Sequence, residues 1–298
     1  MDAFKLMKEL RLNYEQEVHY LPKKTGLSLI ESSVQGESRI SAKCRDAKVE
    51  DLWSLTSFFG YSTQTFVLAV NLLDRFLAMM RIQPKHLSCV SLSCLHMAAK
   101  VTEEECNLTP CDELIRIGQC RFTVSDLERM EKIVADKLNF KSKAITALTF
   151  LHLYHQIARS QATDRNETLS LEKLEAQLKA CLCRITFSLA KPSVLALALL
   201  MQGIEAVHSE DMLEIAYHIQ KHLKVTFPLF IQQLIEGRGT RTALGSLREY
   251  FPALVIIPTI QGSFLCQLDW VSSEGFFSSE EELTVDIENY LGYNDLDD

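Results

Sequence analysis

The chain has 298 residues, of which 47% are hydrophobic; this is enough for two domains with substantial cores and excludes a chain that is disordered throughout. No apolar run reaches the roughly 20 residues that span a bilayer, and the N-terminus lacks the apolar centre of a signal peptide, so we expect a soluble, intracellular protein with no membrane partner. The net charge of −8 is uneven, because the last 50 residues contain 11 acids and no Lys or Arg, which leaves a balance of +3 elsewhere and does not favour nucleic acid as a partner.

The first half of the chain has the pattern of a helical protein. An amphipathic segment covers about residues 3–20 and leads into a loop that contains proline and glycine. Beyond the loop, one helix ends at Gly60 and the next begins near Thr63, with Ser62 or Thr65 as its cap. The expected helices cover residues 47–59, 63–80, 87–100, 110–118 and 123–138.

The last of these helices begins with a start signal in the sequence. Ser125 and Glu128 have the spacing of a capping box, in which each residue satisfies a backbone N–H group of the other. Five helices in under a hundred residues predict one compact domain, which we place at residues 43–141. An N-terminal helix and loop at residues 1–42 precede it.

The helical pattern then begins again and predicts a second domain at residues 142–238. The expected helices cover residues 146–158, 170–189, 191–207, 210–223 and 227–237. Each half contains an apolar central helix that is entered through a proline, Pro84 in the first half and Pro192 in the second. Alternation typical of a strand is confined to residues 252–260, which lie between prolines. The sequence therefore predicts an all-α fold.

Residues 239–298 differ in composition from the rest of the chain. They are acidic and contain serines and aromatic residues, which predicts either an irregular, partly disordered tail or a docking peptide that becomes ordered on a basic partner. Ser278 and Ser279 precede three glutamates, and we name them as candidate phosphorylation sites.

The residue patterns provide no site for a cofactor, a metal ion or a catalytic reaction. Glycine-rich phosphate loops, a nucleophile elbow and HExxH are all missing from the sequence. His218 and His222 have the spacing of two metal ligands, but one edge of an amphipathic helix explains them more simply. Glu103 and the two glutamates after it lie at the negative end of a helix dipole; they are either a solvated helix end or a surface that faces a partner.

The stretch "LAVNLLDRFLA", residues 68–78, places an acid in an otherwise apolar helix. Asn71, Asp74, Arg75 and Ala78 share one narrow stripe of this helix. One interpretation makes the stripe a solvated edge. The other buries Asp74 against a base from elsewhere in the chain, because Arg75 follows it directly and points in a different direction.

Taken together, these patterns resemble the cyclin fold. The segments "TFVLAVNLLDRFL", "LSCVSLSCLHMAAKVTEEE" and "RFTVSDLERMEKIVADKLNF" resemble a first cyclin domain, and "LEKLEAQLKACLCRITFSLAKPSVLAL" is similar specifically to the G-type cyclins. The resemblance covers about residues 26–200. It implies two tandem five-helix domains in a non-enzymatic cell-cycle regulator without cofactors.

The resemblance also implies partners. Cyclins bind a serine/threonine protein kinase of the cyclin-dependent type, and G-type cyclins are associated with regulatory subunits of protein phosphatase 2A and with slowed proliferation. We expect a protein of the nucleus and the cytoplasm. Glu103 matches the cyclin glutamate that contacts the kinase, but the lysine that usually works with it falls at Gly60, which has no side chain.

Two further sites follow from the same resemblance. The Met, Leu and Trp of the cyclin substrate-docking groove fall at Cys44, Lys48 and Asp51, so the groove is degenerate, because these charges do not suit an apolar anchor. Arg45 matches an arginine that cyclins bury against the acid equivalent to Asp74, which implies a structural ion pair.

One alternative remains for the function. Some transcription factors also contain paired cyclin folds and associate with nucleic acid. Those proteins use strongly basic faces, whereas the chain before its last 50 residues has a net charge of only +3.

Overall fold

The computed structural model describes residues 3–33, 40–161, 169–228 and 231–232. All of them lie in one compact unit, Met1–Phe251. Within these ranges the chain is helical and contains no strand, which confirms the prediction of an all-α fold. No helix of the described part is long and apolar enough to cross a membrane. The predicted tail, including Ser278 and Ser279, lies outside the described residues.

The N-terminal segment and the first group of helices contain α1 (Ala3–Gln16), a 3-10 turn (Glu17–Tyr20), α2 (Lys24–Ser32), α3 (Ala42–Phe58), α4 (Thr63–Leu77), α5 (Leu87–Thr102), α6 (Cys111–Ile117) and α7 (Val124–Lys137), with short 3-10 turns at Pro84–His86 and Glu105–Asn107. Most of them agree with the predicted elements. The predicted loop is wrong over Lys24–Ser32, which form α2 and bury Leu27 and Ile30, and α3 begins five residues before its predicted start. Helix α5 packs between α4 and α7 and is buried along most of its length, because nearly all of its residues are apolar or small.

The helix starts show how the sequence sets these boundaries. Ser62 caps α4 by accepting a hydrogen bond from the backbone N–H of Thr65, so Thr65 lies inside the first turn and is not the cap. The predicted capping box of Ser125 and Glu128 is wrong. Thr123 and Asp126 form the box instead, two residues earlier, with both reciprocal hydrogen bonds present.

The second group of helices packs around an equally apolar centre. It contains α8 (Ala147–Gln161), α9 (Leu171–Leu182), α10 (Ile185–Ser188), α11 (Pro192–Val207) and α12 (Glu210–Leu223). The predicted segment 170–189 is therefore two helices, because the backbone of Arg184 is extended. Most of the predicted helix 227–237 lies outside the described residues.

The N-terminal segment belongs structurally to this second group. Helix α1 packs against α8 and buries Leu6 and Leu10 completely. Glu17, at the end of that segment, accepts hydrogen bonds at 3.1 and 2.9 Å from the backbone N–H and the hydroxyl of Ser193, in the first turn of α11. Burial raises the pKa of the Glu17 carboxyl, although the Ser193 bonds and Lys191 act in the opposite direction. The domain boundaries predicted from the sequence stay a prediction.

Candidate functional site

An apolar cavity lies beside α5, α7 and the turn that follows α7. Its volume is about 390 Å³. Leu72 of α4 and Met97 of α5 contribute to its apolar lining, and Lys100 and Glu131 are the charged pair within it. The full lining is Leu72, Met97, Lys100, Val101, Glu131, Lys132, Ala135, Leu138, Phe140, Lys141 and Ser142. Such a concave apolar surface with a few charged groups is typical of a binding site.

Two charged residues of this cavity, Lys100 and Glu131, form a connected cluster with the neighbouring His96. Lys100 of α5 donates to Glu131 Oε2 of α7 at 2.7 Å, and His96 Nδ1 lies 2.6 Å from Glu131 Oε1. Partial burial acts to raise the pKa of the Glu131 carboxyl, but the bonds with His96 and Lys100 outweigh it and lower that pKa below its ordinary value. The Lys100 side chain is 43% exposed, so its ammonium group is open to a partner.

One wall of the cavity is a tight turn with an unusual backbone. Asn139 and Phe140 both have left-handed backbones, with φ of 52° and 56°. The Phe140 amide donates to the carbonyl of Ala135 at 2.7 Å and the Asn139 amide to that of Asp136 at 2.9 Å, which is the hydrogen-bond pattern of a Schellman motif. The turn leaves the Phe140 side chain 75% exposed, although it is a large apolar group.

Glu103, the predicted kinase contact, does not line this cavity. Its Oε1 atom accepts hydrogen bonds from the backbone N–H and the hydroxyl of Ser62, both at 2.8 Å, and from the Thr65 hydroxyl. Partial burial acts to raise the pKa of Glu103, but these three bonds lower it below its ordinary value. Glu103 therefore connects the end of α5 to the first turn of α4, where its charge also suits the helix dipole.

Gly60 has a structural reason to be glycine. It follows α3 with φ of 69°, and the amides of Gly60 and Tyr61 donate back to Ser57 and Thr56, which completes a Schellman motif. A lysine here would adopt a left-handed backbone at a cost of about 1 kcal/mol. Gly60 also lies outside the cavity.

The structure brings Arg45 and Asp74 together inside the protein. Arg45 Nε and Nη2 donate to the two carboxylate oxygens of Asp74 at 2.9 and 2.7 Å, and Arg45 is completely buried. Asp74 and Arg75 are only 3% and 6% exposed, so the interpretation of their stripe as a solvated edge is wrong. Burial acts to lower the pKa of Arg45, but Asp74 and Asp46 raise it, so the guanidinium stays charged.

The contacts of Arg45 extend to the second group of helices. Its Nη1 donates to the backbone carbonyl of Leu182 at 2.7 Å, and its Nη2 to the hydroxyl of Ser188 at 2.9 Å. Asp46, the next residue on α3, accepts from the amide of Ile185 at 2.9 Å. One face of α3 is thus fixed to the junction between α9 and α10, a connection that sequence reasoning missed.

The residues of the predicted degenerate groove lie along one stripe of α3. Lys48 donates to Asp51 at 2.7 Å, with Asp51 well exposed. Cys44 is half-buried and its sulfur accepts from the Ser41 hydroxyl. The stripe is polar, which is consistent with a surface that lacks an apolar anchor site, and the loss of the groove stays a prediction.

His218, one of the two histidines with the spacing of metal ligands, has an acidic neighbour on its own helix. His218 lies 3.7 Å from Glu214 on the surface of α12. Throughout the described part of the chain, no three His, Cys, Asp or Glu side chains are grouped so that they could hold a metal ion. The eight described cysteines are free thiols.

Comparison with known proteins gives the family. The description "Cyclin, N-terminal domain" matches residues 2–143. Cyclin-G1 of Bos taurus is 52% identical over 226 residues, which are 76% of this chain and 77% of that protein. Cyclin-G2 of Mus musculus is 52% identical over 217 residues, 73% of this chain and 63% of that protein. The matched region thus spans less than two thirds of the length of this second relative.

The fold comparison agrees. A viral cyclin from herpesvirus saimiri, known from an X-ray structure, aligns with a TM-score of 0.61 and 20% identity, over 79% of this chain and 99% of the viral chain. At that level of identity the likeness shows the cyclin fold alone. From the relatives above, which are more than 50% identical, the chain belongs to the cyclin family and, within it, to the G-type cyclins.

Proposed function

We propose that this protein is a non-enzymatic regulator that binds a serine/threonine protein kinase of the cyclin-dependent type through the cavity beside α5 and α7. The observation that carries the proposal is the combination of an open apolar cavity of about 390 Å³ with the half-exposed Lys100 and its partner Glu131. Membership of the cyclin family supports a kinase as the partner.

The cavity has the features that a helix of a partner protein requires. An apolar side chain of the partner helix would enter among Leu72, Met97 and Phe140. Lys100 would pair with a polar group one turn away on that partner helix. Bound in this way, the helix would be held in one of its positions, so the cyclin would shift the kinase population towards that conformation. Because this surface does not include position 60, the absence of a lysine there would not prevent kinase binding.

Substitutions of two residues that line the cavity can test this proposal. Phe140→Ala and Lys100→Ala should each weaken binding of a purified cyclin-dependent kinase by about tenfold or more, because they remove an exposed apolar anchor and the available charge. Titration calorimetry against a panel of such kinases would measure the change. Lys48→Ala, a surface lysine on α3, is the matched control and should bind as the wild type does.

Glu103→Ala separates this surface from the one expected from the sequence. Because the carboxylate of Glu103 is engaged with Ser62 and Thr65, we expect a small loss of stability and little change in affinity. A large loss of binding in Glu103→Ala, with Phe140→Ala unaffected, would place the kinase at the surface around Glu103, where the end of α5 meets the first turn of α4.

We also propose a role as an adaptor for regulatory subunits of protein phosphatase 2A that restrains proliferation in the nucleus and the cytoplasm. The support is membership among the G-type cyclins together with a body that is nearly neutral, which argues against the alternative of a nucleic-acid-associated factor. Affinity capture with the full chain, followed by mass spectrometry, should recover phosphatase regulatory subunits. Their absence from every capture would contradict the adaptor role, and tight, salt-sensitive binding to DNA would favour the alternative.

A further inference from the structure

Arg75 is a buried charge of an unusual kind. Its residue is 6% exposed, and no carboxylate among the described residues forms an ion pair with it. Burial lowers the pKa of the Arg75 guanidinium, in contrast to Arg45, whose acid partners raise its pKa. Burying an arginine without an acid partner costs free energy, and the hydrogen bonds and ring contact of the guanidinium have to offset that cost.

Those contacts join two distant segments of the chain. Arg75 Nη1 donates to the backbone carbonyl of Lys141 at 2.9 Å, in the turn that forms one wall of the cavity. On its other side, the Arg75 guanidinium lies over the ring of Tyr20, with 5.8 Å between its central carbon and the ring centroid. Asn71, one helical turn before Arg75, donates to the backbone carbonyl of Tyr20 at 3.1 Å.

The turn that Arg75 holds is strained. A left-handed backbone is uncommon for any residue other than glycine, and it is a genuine outlier for a side chain as large as that of Phe140. Consecutive residues of this kind persist only where the surrounding structure fixes them. The charged donor on the carbonyl of Lys141, directly after Phe140, is such a constraint.

We infer that Arg75 is a positioning residue for the cavity wall, and that Tyr20, by its contact with Arg75, connects the N-terminal segment to that wall. Arg75 holds the turn in the conformation that presents Phe140. The Tyr20 ring and the Asn71 side-chain oxygen, which accepts from Arg75 Nη1 at 3.4 Å, hold Arg75 in its orientation. The 3-10 turn after α1 therefore contributes to the binding surface although none of its residues lines the cavity. This inference rests on the proposed kinase-binding function for its consequence, but the geometry of the turn can be tested without a kinase.

The first experiment measures the turn itself in the full chain. In hydrogen–deuterium exchange, Arg75→Lys should make the amides of Phe140, Lys141 and Ser142 exchange about tenfold faster, because a shorter and differently shaped donor replaces the guanidinium. These amides donate to Ala135, Leu138 and Phe140 in the wild type and so report on the turn. Amides inside α5 should be unchanged, which makes them the internal control.

A second pair of variants separates the loss of this contact from misfolding of the whole protein. Tyr20→Ala removes the ring beneath Arg75 and should speed exchange at the turn about threefold, whereas Tyr20→Phe keeps the ring and should match the wild type. In the kinase titration, Arg75→Lys and Tyr20→Ala should weaken binding by about the same factors as they speed exchange. Tyr20→Phe should bind as the wild type does.

Each outcome has one meaning. Unchanged exchange at the turn in Arg75→Lys, or an equal increase over all helices, would overturn the positioning role. Weaker kinase binding with an undisturbed turn would overturn it as well. If the wild type bound no kinase, the proposed function would fail, and faster exchange confined to residues 140–142 would still establish that Arg75 positions the turn.

Discussion

Two charge clusters in this molecule are similar in composition but opposite in placement. The cluster around Arg45 lies between α3, α4 and the junction of α9 and α10, and the side chains of Arg45 and Asp74 are 0% and 4% exposed. The cluster around Glu131 lies at the cavity, where Glu131 is 12% exposed but Lys100 is 43% exposed.

The difference indicates what each cluster does. Every polar group of Arg45 that the structure describes is directed at another part of the same chain, so the cluster can act only on stability. At the cavity, Lys100 keeps contact with water beside an apolar lining and is available to a partner. A half-exposed charge next to an apolar surface is therefore a better indicator of binding here than a buried ion pair.

The largest effect should come from breaking the interior cluster. Arg45→Ala and Asp74→Ala should each lower the free energy of unfolding by about 3 to 5 kcal/mol. Arg45→Ala leaves the Asp74 carboxylate unpaired inside the protein, and Asp74→Ala leaves the buried Arg45 guanidinium with Asp46, at 3.2 Å, as its remaining acid partner. Urea denaturation would measure the loss. Lys48→Ala breaks a surface pair of the same helix and should change stability by less than about 1 kcal/mol. Equal, small losses in all three variants would show that the interior pair is not the structural element we describe.

A smaller effect is expected at the cavity. Glu131→Gln should lower the free energy of unfolding at pH 7 by about 1 to 2 kcal/mol, through weaker bonds to His96 and Lys100. The lowered pKa of Glu131 stabilises the fold above the ordinary carboxyl pKa near 4.5, and this contribution is lost as the pH falls through the lowered value. The difference in free energy of unfolding between the wild type and Glu131→Gln should therefore shrink as the pH falls. A constant difference from pH 7 to pH 3 would show that the bonds of Glu131 with His96 and Lys100 do not stabilise the fold.

Much of the helical fold could be predicted because its signals are local. Apolar periodicity located most of the helices but missed α2. Gly60 and Ser62 correctly predicted the end of α3 and the start of α4. The capping box was misplaced by two residues because Thr123 and Ser125 are both followed, three residues later, by an acid. Spacing alone cannot choose between two such candidates; the packing of the helix face decides.

The sites were harder to predict because their residues are far apart in the chain. Lys100 and Glu131 are 31 positions apart, and each is a charged residue on a helix that also has a buried apolar face, a pattern shared with many surface residues. Helical spacing indicated only that Arg75 points in a different direction from Asp74. The burial of Arg75 and its contact with Lys141 could not be read from that spacing.

The bond between Arg45 and the carbonyl of Leu182 also has a consequence for protein synthesis. The acceptor is 137 residues later in the chain, which a ribosome needs roughly 7 to 27 s to add at 5 to 20 residues per second. The rest of α3 and helices α4 to α7 are synthesised during that interval, while the Arg45 guanidinium still lacks a partner that it has in the finished protein. The helices α3 to α7 should therefore reach their full stability only after the segment that contains Leu182 and Ser188 has been synthesised.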